Sequence, residues 1–357
     1  MPPSPEYRRA LSSADNADIP LPGVGVIGYG YWGPNLVRNF MSDADWRVVS
    51  VCDRSENRLA EVKRLYPAVT TTTKPEDLYR NASIDAIAIA TPVATHFELA
   101  MGALRAGKHV LVEKPIASTS AQASQMIEEA ARRKLVLLVD HTFVFTGAVR
   151  KIRDVISEDS FGVLQYYDST RVNLGLFQHD VNVMWDLAVH DLSIMDFVIG
   201  ANPVAVSATG LSHVPGQPAN VAFMTLFFDR PTIAHINVSW LSPVKIRRTL
   251  VGGSKRMIVY DDLETSEKVK IYDKGITVTE TPDDLRKLLI SYRTGDLWSP
   301  KVNETEALRL EVAHFRNCIE GTEKPVTPGE RGLAIVRMLE AADQSMQKRG
   351  AAVELKA

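Results

Sequence analysis

Apolar runs alternate with segments of helical periodicity along the first 140 residues, and the alternation predicts a doubly wound α/β fold. Continuous apolar runs are typical of strands that are buried on both faces of a parallel sheet. Helical spacing follows each run, and strand–helix alternation of this kind indicates a parallel sheet covered by helices. The runs lie at residues 24–27, 47–52, 85–90, 109–112 and 135–139.

Beyond residue 142 longer segments predict a second α/β domain with a large, mainly antiparallel open sheet. Its strands are expected at 164–172, 203–210, 221–228, 232–240 and 247–251. The segment 221–228 is apolar on both faces, so one sheet face needs a cover, and another subunit is the simplest one. We therefore expect a Rossmann domain at 21–142, a substrate-binding and oligomerisation domain at 143–357, and a homodimer or homotetramer.

Length and composition fit two domains and exclude some partners. The chain has 357 residues and a formal charge of −2, which gives no indication of nucleic acid or an anionic membrane as partner. Residues 1–20 combine prolines with mixed charges and lack the apolar core of a signal peptide, so a disordered tail is predicted. Cys52 and Cys318 are expected to be reduced core residues, and the protein is expected to be cytoplasmic.

The most specific motif is a glycine turn between the first strand and the first helix. In G-x-G-x-x-G, Gly28 permits the tight turn, Gly30 lets a pyrophosphate approach, and Gly33 lets the helix pack on the strand. Asp53 ends the second strand, where a carboxylate accepts hydrogen bonds from ribose hydroxyls and repels a 2′-phosphate. NAD is therefore the predicted cofactor, although Arg54 could accept such a phosphate. The predicted cofactor residues of this unit are Gly28, Tyr29, Gly30, Tyr31, Trp32, Gly33, Asp53 and Arg54.

Two further groups could carry chemistry. Lys114 follows a predicted strand at the sheet edge where α/β proteins bind ligands, and a solvated loop lysine is the alternative. Asp186 and His190 stand four apart on a helix predicted at 181–199, so they share a face. Such a pair suits a base that titrates near neutral pH, since the carboxylate fixes the imidazole tautomer and raises its basicity, and a solvated ion pair is the alternative. A third metal ligand is not in view, so no metal is predicted.

Together these residues resemble the Gfo/Idh/MocA oxidoreductases over essentially the whole chain. Members of that family transfer a hydride between nicotinamide and a carbon of a sugar or cyclitol. The resemblance implies that Lys114 is the catalytic lysine, that His190 is the general acid/base, and that Asp186 is its partner or a substrate ligand. The segments that carry the resemblance are 28–33, Asp53, 90–92 with His96, 106–110, 113–115 and the Asp186/His190 pair.

The same resemblance implies further contacts around the cofactor. It places Thr91, Pro92, His96 and Glu113 along the cofactor cleft, with Lys114 bonded to the nicotinamide ribose. It also implies that a cis peptide bond precedes Pro115. The loop 177–180 and the strand before it supply predicted substrate contacts. The full predicted substrate set is Lys114, Arg171, Asn173, His179, Asp186 and His190.

Three stretches are similar to the branch of this family that is encoded with nucleotide-sugar pathways: 26–36, 171–175 and 239–245. That branch oxidises the C3 hydroxyl of a UDP-linked N-acetylhexosamine or its uronate to a 3-keto sugar for later transamination. The resemblance implies a UDP-sugar 3-dehydrogenase, with UDP-N-acetylglucosamine favoured. UDP-N-acetylglucosaminuronate, a free sugar or an inositol remain alternative substrates. A non-catalytic sugar or NAD sensor is the alternative of another class, and it would be expected to lose the lysine or the histidine.

Overall fold

Six parallel strands form the first sheet: β1 (Gly23–Ile27), β2 (Arg47–Cys52), β3 (Thr70–Thr72), β4 (Ala86–Ile89), β5 (His109–Glu113) and β6 (Leu137–Asp140). Their order is β3-β2-β1-β4-β5-β6. The computed structural model describes residues 21–175, 181–279 and 289–355, so the predicted tail lies outside the described residues. Strands β1 and β4 are buried at every position, as their unbroken apolar sequence predicts.

Helices pack on both faces of this sheet, and the strand order reverses between β1 and β4. Open α/β sheets bind ligands at the carboxyl ends of the strands where such a reversal occurs. Gly28 follows β1 and Lys114 follows β5, so both lie at this edge. The helices are α1 (Gly33–Ser42), α2 (Glu56–Leu65), α3 (Pro75–Arg80), α4 (His96–Arg105) and α5 (Ser120–Arg133).

The second sheet is large and mainly antiparallel, which confirms the predicted fold class. Its strands and a separate hairpin are β7 (Leu164–Leu174), β8 (Ala205–Leu211), β9 (Val221–Phe227), β10 (Ile233–Ser239), β11 (Leu241–Gly253), β12 (Met257–Asp261), β13 (Val269–Tyr272), β14 (Gly275–Thr279), β15 (Leu289–Arg293), β16 (Leu297–Trp298) and β17 (Val353–Glu354). The nine-stranded order is β16-β13-β12-β11-β7-β10-β9-β8-β17, and only the pair β7/β10 is parallel among its described pairings. Strands β14 and β15 form the separate hairpin.

Strand β9 is apolar on both faces, as its sequence predicts. Ala222, Met224 and Leu226 are buried on the side that packs on the domain's helices. Phe223 and Phe227 are exposed on the opposite side, together with Ile233, which lies opposite Phe227 on β10. The outer face of the sheet therefore presents aromatic and aliphatic side chains to solvent within this single chain.

Four more helices complete the fold, and the last two return to the first sheet. They are α6 (Gly147–Ile156), α7 (Val189–Ile199), α8 (Ala307–Ile319) and α9 (Gly329–Gln347). On α8, Phe315 stacks on Trp46 at 5.7 Å between ring centroids and joins the apolar cluster around β1. The end of the chain thus closes the core of the first sheet, and the domain division at residue 143 stays a prediction.

The two cysteines are buried and unpaired, as the composition predicts. They are Cys52 and Cys318, and burial raises the pKa of each thiol to about 12. Among the described residues, none of the helices has the length and apolar character needed to cross a bilayer.

Candidate active site

The glycine turn has the close packing that its motif predicts. Gly28 has a φ of 96°, and a Cβ there would lie 2.5 Å from the carbonyl oxygen of Ala90. A Cβ on Gly33 would lie 2.1 Å from the carbonyl oxygen of Gly28, so only glycine lets α1 start this close to β1. At Gly30 a Cβ would meet nothing closer than Arg58 Nη1, at 3.6 Å, so the space in front of this residue is open. A pyrophosphate can therefore reach the turn and the N-terminus of α1.

The aromatic residues of the turn have three different environments. Tyr29 is buried in the core, so only its backbone is available to a cofactor. Tyr31 is 93% exposed beside the turn. Trp32 donates a hydrogen bond from Nε1 to the Asp140 carboxylate at 2.7 Å, which ties the turn to the end of β6. Of the three predicted contacts, Tyr31 is the side chain that is open to a cofactor.

Asp53 is held where the sequence predicts it, at the end of β2. Its carboxylate accepts hydrogen bonds from the backbone N–H groups of Tyr29 at 2.7 Å and Ser55 at 2.8 Å. A carboxylate has further lone pairs, so ribose hydroxyls can still donate to it. The cation beside it is Arg58, 3.5 Å away and 52% exposed, whereas Arg54 is exposed and forms no ion pair among the described residues. Sequence spacing missed Arg58 because it lies on the next helix, α2.

His96 does not face the cleft as a cofactor contact. It is 1% exposed, and its ring nitrogens lie 2.8 Å from the carbonyl oxygens of Thr91 and Pro115. Burial lowers the pKa of His96, against the raising effect of these two carbonyls. Its ring joins the segments that follow β4 and β5, and it therefore positions Lys114 and the partly exposed Thr91. Pro92 is exposed beside them. The peptide bond between Lys114 and Pro115 is cis, as the resemblance implies.

Lys114 connects the segment after β5 with the segment before α7. Its Nζ donates a hydrogen bond to the backbone carbonyl of Asp186 at 3.0 Å and lies 3.8 Å from Oδ1 of that residue. The solvated-loop alternative is therefore wrong, because the lysine side chain is largely buried. Beside it, burial raises the pKa of Glu113 well above its ordinary value, and the charge of Asp140 raises it further.

The helix predicted at 181–199 begins later and contains an irregular turn. A π-helical turn, Met184–Ala188, precedes α7. His190 lies outside this turn, and Asp186 is not among the charges that act on its ring. The Asp186 carboxylate instead accepts a hydrogen bond from Trp240 Nε1 at 3.0 Å, and among the described residues no hydrogen bond joins it to His190. The predicted Asp186–His190 pair is therefore wrong, and the partners of Asp186 are Lys114 and Trp240.

His190 is a neutral base rather than a group that titrates near pH 7. Its ring packs edge-on against Phe143, with the centroids 5.1 Å apart. Burial lowers the pKa of His190 well below its ordinary value of 6.5, and the positive charges of Lys114 and Arg171 lower it further. The expectation of a raised basicity is wrong, because cations surround the ring and the carboxylate of Asp186 lies elsewhere.

Arg171 occupies a buried ion pair instead of a substrate-facing position. It is 4% exposed, and its guanidinium donates to the Asp191 carboxylate at 2.6 and 3.3 Å. Its predicted role as a direct substrate contact is therefore wrong in this structure. Asn173 is partly exposed on β7, and His179 lies outside the described residues.

Arg247 is a cation near the site that sequence spacing missed. It is the cross-strand neighbour of Arg171, and both guanidinium groups lie over the ring of Phe143, at 5.9 and 4.7 Å. Arg247 is one-third exposed and pairs with Asp262 at 3.2 Å, and its charge contributes to the low pKa of His190. The alternation along β11 could have placed it on the inward face, since Thr249 and Val251 are buried there.

Comparison with known proteins identifies the family. A family model described as an oxidoreductase family with an NAD-binding Rossmann fold matches residues 23–141, and the GFO/IDH/MocA C-terminal domain matches residues 149–259. The chain belongs to the Gfo/Idh/MocA oxidoreductases. It is therefore an oxidoreductase with an NAD-binding Rossmann domain, and the glycine turn with Asp53 fits that cofactor.

Similar proteins act on several polyols. UDP-N-acetylglucosamine 3-dehydrogenase of Acidithiobacillus ferrooxidans is 28% identical over 337 residues, which are 91% of this chain and 98% of the relative. Its solved structure matches with a TM-score of 0.76 over 92% of this chain and 98% of that chain. Myo-inositol 2-dehydrogenase of Thermotoga maritima is 24% identical over 91% of this chain and 96% of the relative. GenD2 from gentamicin A biosynthesis, solved in complex with NAD, shares the fold with a TM-score of 0.79, 21% identity and coverage of 95% and 97%.

Proposed function

We propose that this oxidoreductase oxidises the C3 hydroxyl of a UDP-sugar with NAD, and that UDP-N-acetylglucosamine is its substrate. The observation that supports this choice most is the 28% identity to a UDP-N-acetylglucosamine 3-dehydrogenase over almost the full length of both chains. The product would be a 3-keto sugar, whose carbonyl carbon can accept an amino group from an aminotransferase.

In this proposal the two sheets contribute complementary groups. Bound NAD supplies the acceptor for the hydride that leaves C3. His190, which is neutral at pH 7, accepts the proton of the C3 hydroxyl. Lys114 places its ammonium beside that oxygen, where a fixed positive charge stabilises the developing alkoxide by several kcal/mol. Asp186 holds the ammonium in place through its backbone carbonyl at 3.0 Å.

Arg247 replaces Arg171 as the candidate cation for the charged part of the substrate. Arg171 is already neutralised by Asp191, whereas Arg247 is partly exposed and pairs with Asp262 in a more accessible position. A diphosphate or a uronate carboxylate would compete with Asp262 for this guanidinium.

An inositol is the second candidate substrate, because myo-inositol and inositol 2-dehydrogenases are 24% and 23% identical to this chain. A non-catalytic sensor is disfavoured, since Lys114, Asp186 and His190 are all present, Lys114 lies 3.8 Å from the Asp186 carboxylate, and its charge acts on His190. The uronate differs from UDP-N-acetylglucosamine by a carboxylate charge, and a free sugar differs from it by lacking the nucleotide. Turnover of a panel of these compounds distinguishes the alternatives.

The outer sheet face supports a proposal on assembly. We infer that a second copy covers Phe223, Phe227 and Ile233, giving a homodimer or homotetramer. Light scattering of the unaltered protein should show an oligomer at micromolar concentration, and Phe223→Asp together with Phe227→Asp should dissociate it. A stable monomer for the unaltered protein would contradict this proposal.

The substrate is tested with purified protein, NAD and a panel of UDP-sugars, free sugars and inositols. Adding 2-oxoglutarate tests whether a keto acid can recycle NADH. Mass spectrometry should show loss of two hydrogens from UDP-N-acetylglucosamine and from few other compounds. Turnover of an inositol or a free sugar, with none of any UDP-sugar, would overturn the proposal in favour of the second candidate.

A further inference from the structure

A polar cavity of about 70 Å³ borders α7, the helix that carries His190. A polar space of this size admits several water molecules. The polar and charged side chains in its wall come from α6, α7 and α9 and from the segments that follow β6 and precede α9: His141, Arg153, Ser193, Asp196, Thr327 and Arg331.

Two wall residues have polar atoms that lack protein partners. His141 is 2% exposed, and among the described residues neither of its ring nitrogens has a hydrogen-bond partner. The same holds for Oγ1 of Thr327, which is 3% exposed. Buried polar atoms are nearly always hydrogen-bonded, to protein or to water. Water in the cavity would satisfy both residues and would form a chain along its wall.

The cavity lies beside the backbone of His190, and one of its wall residues, His141, is close enough to the His190 ring for its charge to lower the pKa of that ring. Ser193, in its wall, donates a hydrogen bond to the backbone carbonyl of His190 at 2.7 Å. His141 lies two residues before Phe143, whose ring contacts the His190 ring. At the other end Arg331, paired with Asp196 at 2.8 Å, has a side chain that is 43% exposed. The wall therefore runs from residues next to His190 to a side chain that is exposed at the surface.

We propose that His141 relays the substrate proton from His190 through this cavity to solvent. The inference rests on the proposed function, in which the hydroxyl O–H bond breaks and its proton goes to His190 while the hydride goes to NAD. That proton must leave His190 before the next turnover, when cofactor and substrate fill the open side of the cleft. His141 accepts it at one ring nitrogen, through water, and releases a proton from the other nitrogen to cavity water.

The charges around His141 favour rapid loss of a proton that has reached its ring. Burial and the charge of Lys114 lower the pKa of His141 to about 3, so a proton on this ring is quickly lost. Cations predominate among the groups that face it, and burial raises the pKa of the nearby Glu311 carboxyl. The titratable and charged groups around His141 are Lys114, Arg153, His190, Asp196, Glu311 and Arg331.

The test compares hydride transfer in the first turnover with proton release to a pH indicator. His141→Phe keeps a planar ring but cannot carry a proton. The rate of NADH formation in the first turnover should stay within about twofold of that of the unaltered protein. The steady-state rate of proton release should fall by at least about tenfold and should show a larger solvent isotope effect. Thr327→Val should show a smaller slowing of the same kind. In His141→Ala, added imidazole should restore proton release in proportion to its concentration.

His109→Gln is the matched control, because it removes another partly buried imidazole, one that accepts a hydrogen bond from the backbone N–H of Val136 and does not line the cavity. It should leave proton release unchanged. Normal proton release in His141→Phe would overturn the relay, and so would an equal loss of first-turnover hydride transfer, since the ring would then support structure. The proposed function fails separately, if His190→Asn retains first-turnover hydride transfer.

Discussion

The ammonium of Lys114 donates a hydrogen bond to the backbone carbonyl of Asp186 at 3.0 Å, and this contact joins the Rossmann domain to the C-terminal domain. Lys114 comes from the end of β5 in the first sheet, whereas Asp186 lies on the π-helical turn before α7. The charge that we assign to alkoxide stabilisation is therefore fixed by both domains before substrate arrives. A charge that is already in position stabilises the transition state more effectively, because no energy is needed to reorient it during the reaction.

Lys114→Met should lower kcat strongly while leaving NAD affinity nearly unchanged. Methionine keeps much of the shape and removes the positive charge, so the expected loss is about 10²–10³-fold. The exposed Lys63→Met on α2 is the control for loss of a lysine charge and should behave as the unaltered protein. Steady-state kinetics and separate nucleotide titrations check both variants. Unaltered turnover in Lys114→Met would place the active site elsewhere.

The low pKa of His190 predicts the pH dependence of oxidation. A base with a pKa well below 6.5 is neutral at and above that pH, so kcat/KM should be flat from about pH 6.5 upward and fall at lower pH. His190→Asn should lower kcat by about 10²–10⁴-fold and remove this acidic limb. An ionisation near pH 7 in the unaltered protein, absent from His190→Asn, would contradict the buried environment described here.

The variant Asp186→Asn tests whether the Asp186 carboxylate acts on Lys114 or on His190. If Asp186 acts on Lys114 and not on His190, the variant should lower kcat without moving the acidic limb of the pH profile. The hydrogen bond from Trp240 can be kept by the amide oxygen of asparagine, so the turn should stay folded. A downward shift of the limb would restore the carboxylate–imidazole pair that four-residue spacing predicts.

Cofactor choice should depend on Asp53 and Arg58. The unaltered protein is expected to bind NAD more tightly than NADP, and Asp53→Ser should narrow the difference by about tenfold, or about 1.4 kcal/mol. Arg58→Ala in the Asp53→Ser background should weaken NADP binding, because Arg58 is the cation nearest the carboxylate, at 3.5 Å. Arg54→Ala is the matched control and should have little effect. Tighter binding of NADP than NAD by the unaltered protein would refute this account.

Glu311 should make the protein less stable as the pH rises. Burial raises the pKa of this fully buried carboxyl well above 4.5, and the charge of Asp140 raises it further. Above pH 4.5 the unfolded chain releases this proton while the folded chain keeps it, so unfolding is favoured by up to about 1.4 kcal/mol per pH unit. Glu311→Gln does not titrate. Its free energy of unfolding relative to the unaltered protein should therefore increase from pH 5 to pH 8 in urea titrations, and a difference that is constant with pH would contradict the assignment.

The sequence predicts the parts of the molecule that depend on local pattern. The apolar runs at 24–27 and 85–90 identify strands buried on both faces, and the glycine turn with Asp53 identifies the dinucleotide site. Lys114 is predicted at the correct sheet edge because it directly follows a strand. These features need only neighbouring residues, since backbone sterics and strand burial act over a few positions.

Contacts between distant segments are the part that sequence spacing misses. The π-helical turn that contains Asp186 is held by hydrogen bonds from Trp185 and Asn182 to Asp343, near the other end of the chain. Arg171 and Asp191 pair only because β7 packs against α7. The segment following β11 contributes strands of two to five residues with mixed polarity, which no periodicity distinguishes from loop.

The most direct test of the central claim follows the hydrogen on C3. UDP-N-acetylglucosamine deuterated at C3 is incubated with the unaltered protein and NAD, and the reduced cofactor is isolated for mass spectrometry. The account predicts that the deuterium moves to the nicotinamide, that the sugar product is a 3-ketone without it, and that Lys114→Met and His190→Asn both slow this transfer. Reduced cofactor without deuterium, formed from this substrate, would show that the hydride comes from another carbon and would contradict oxidation at C3.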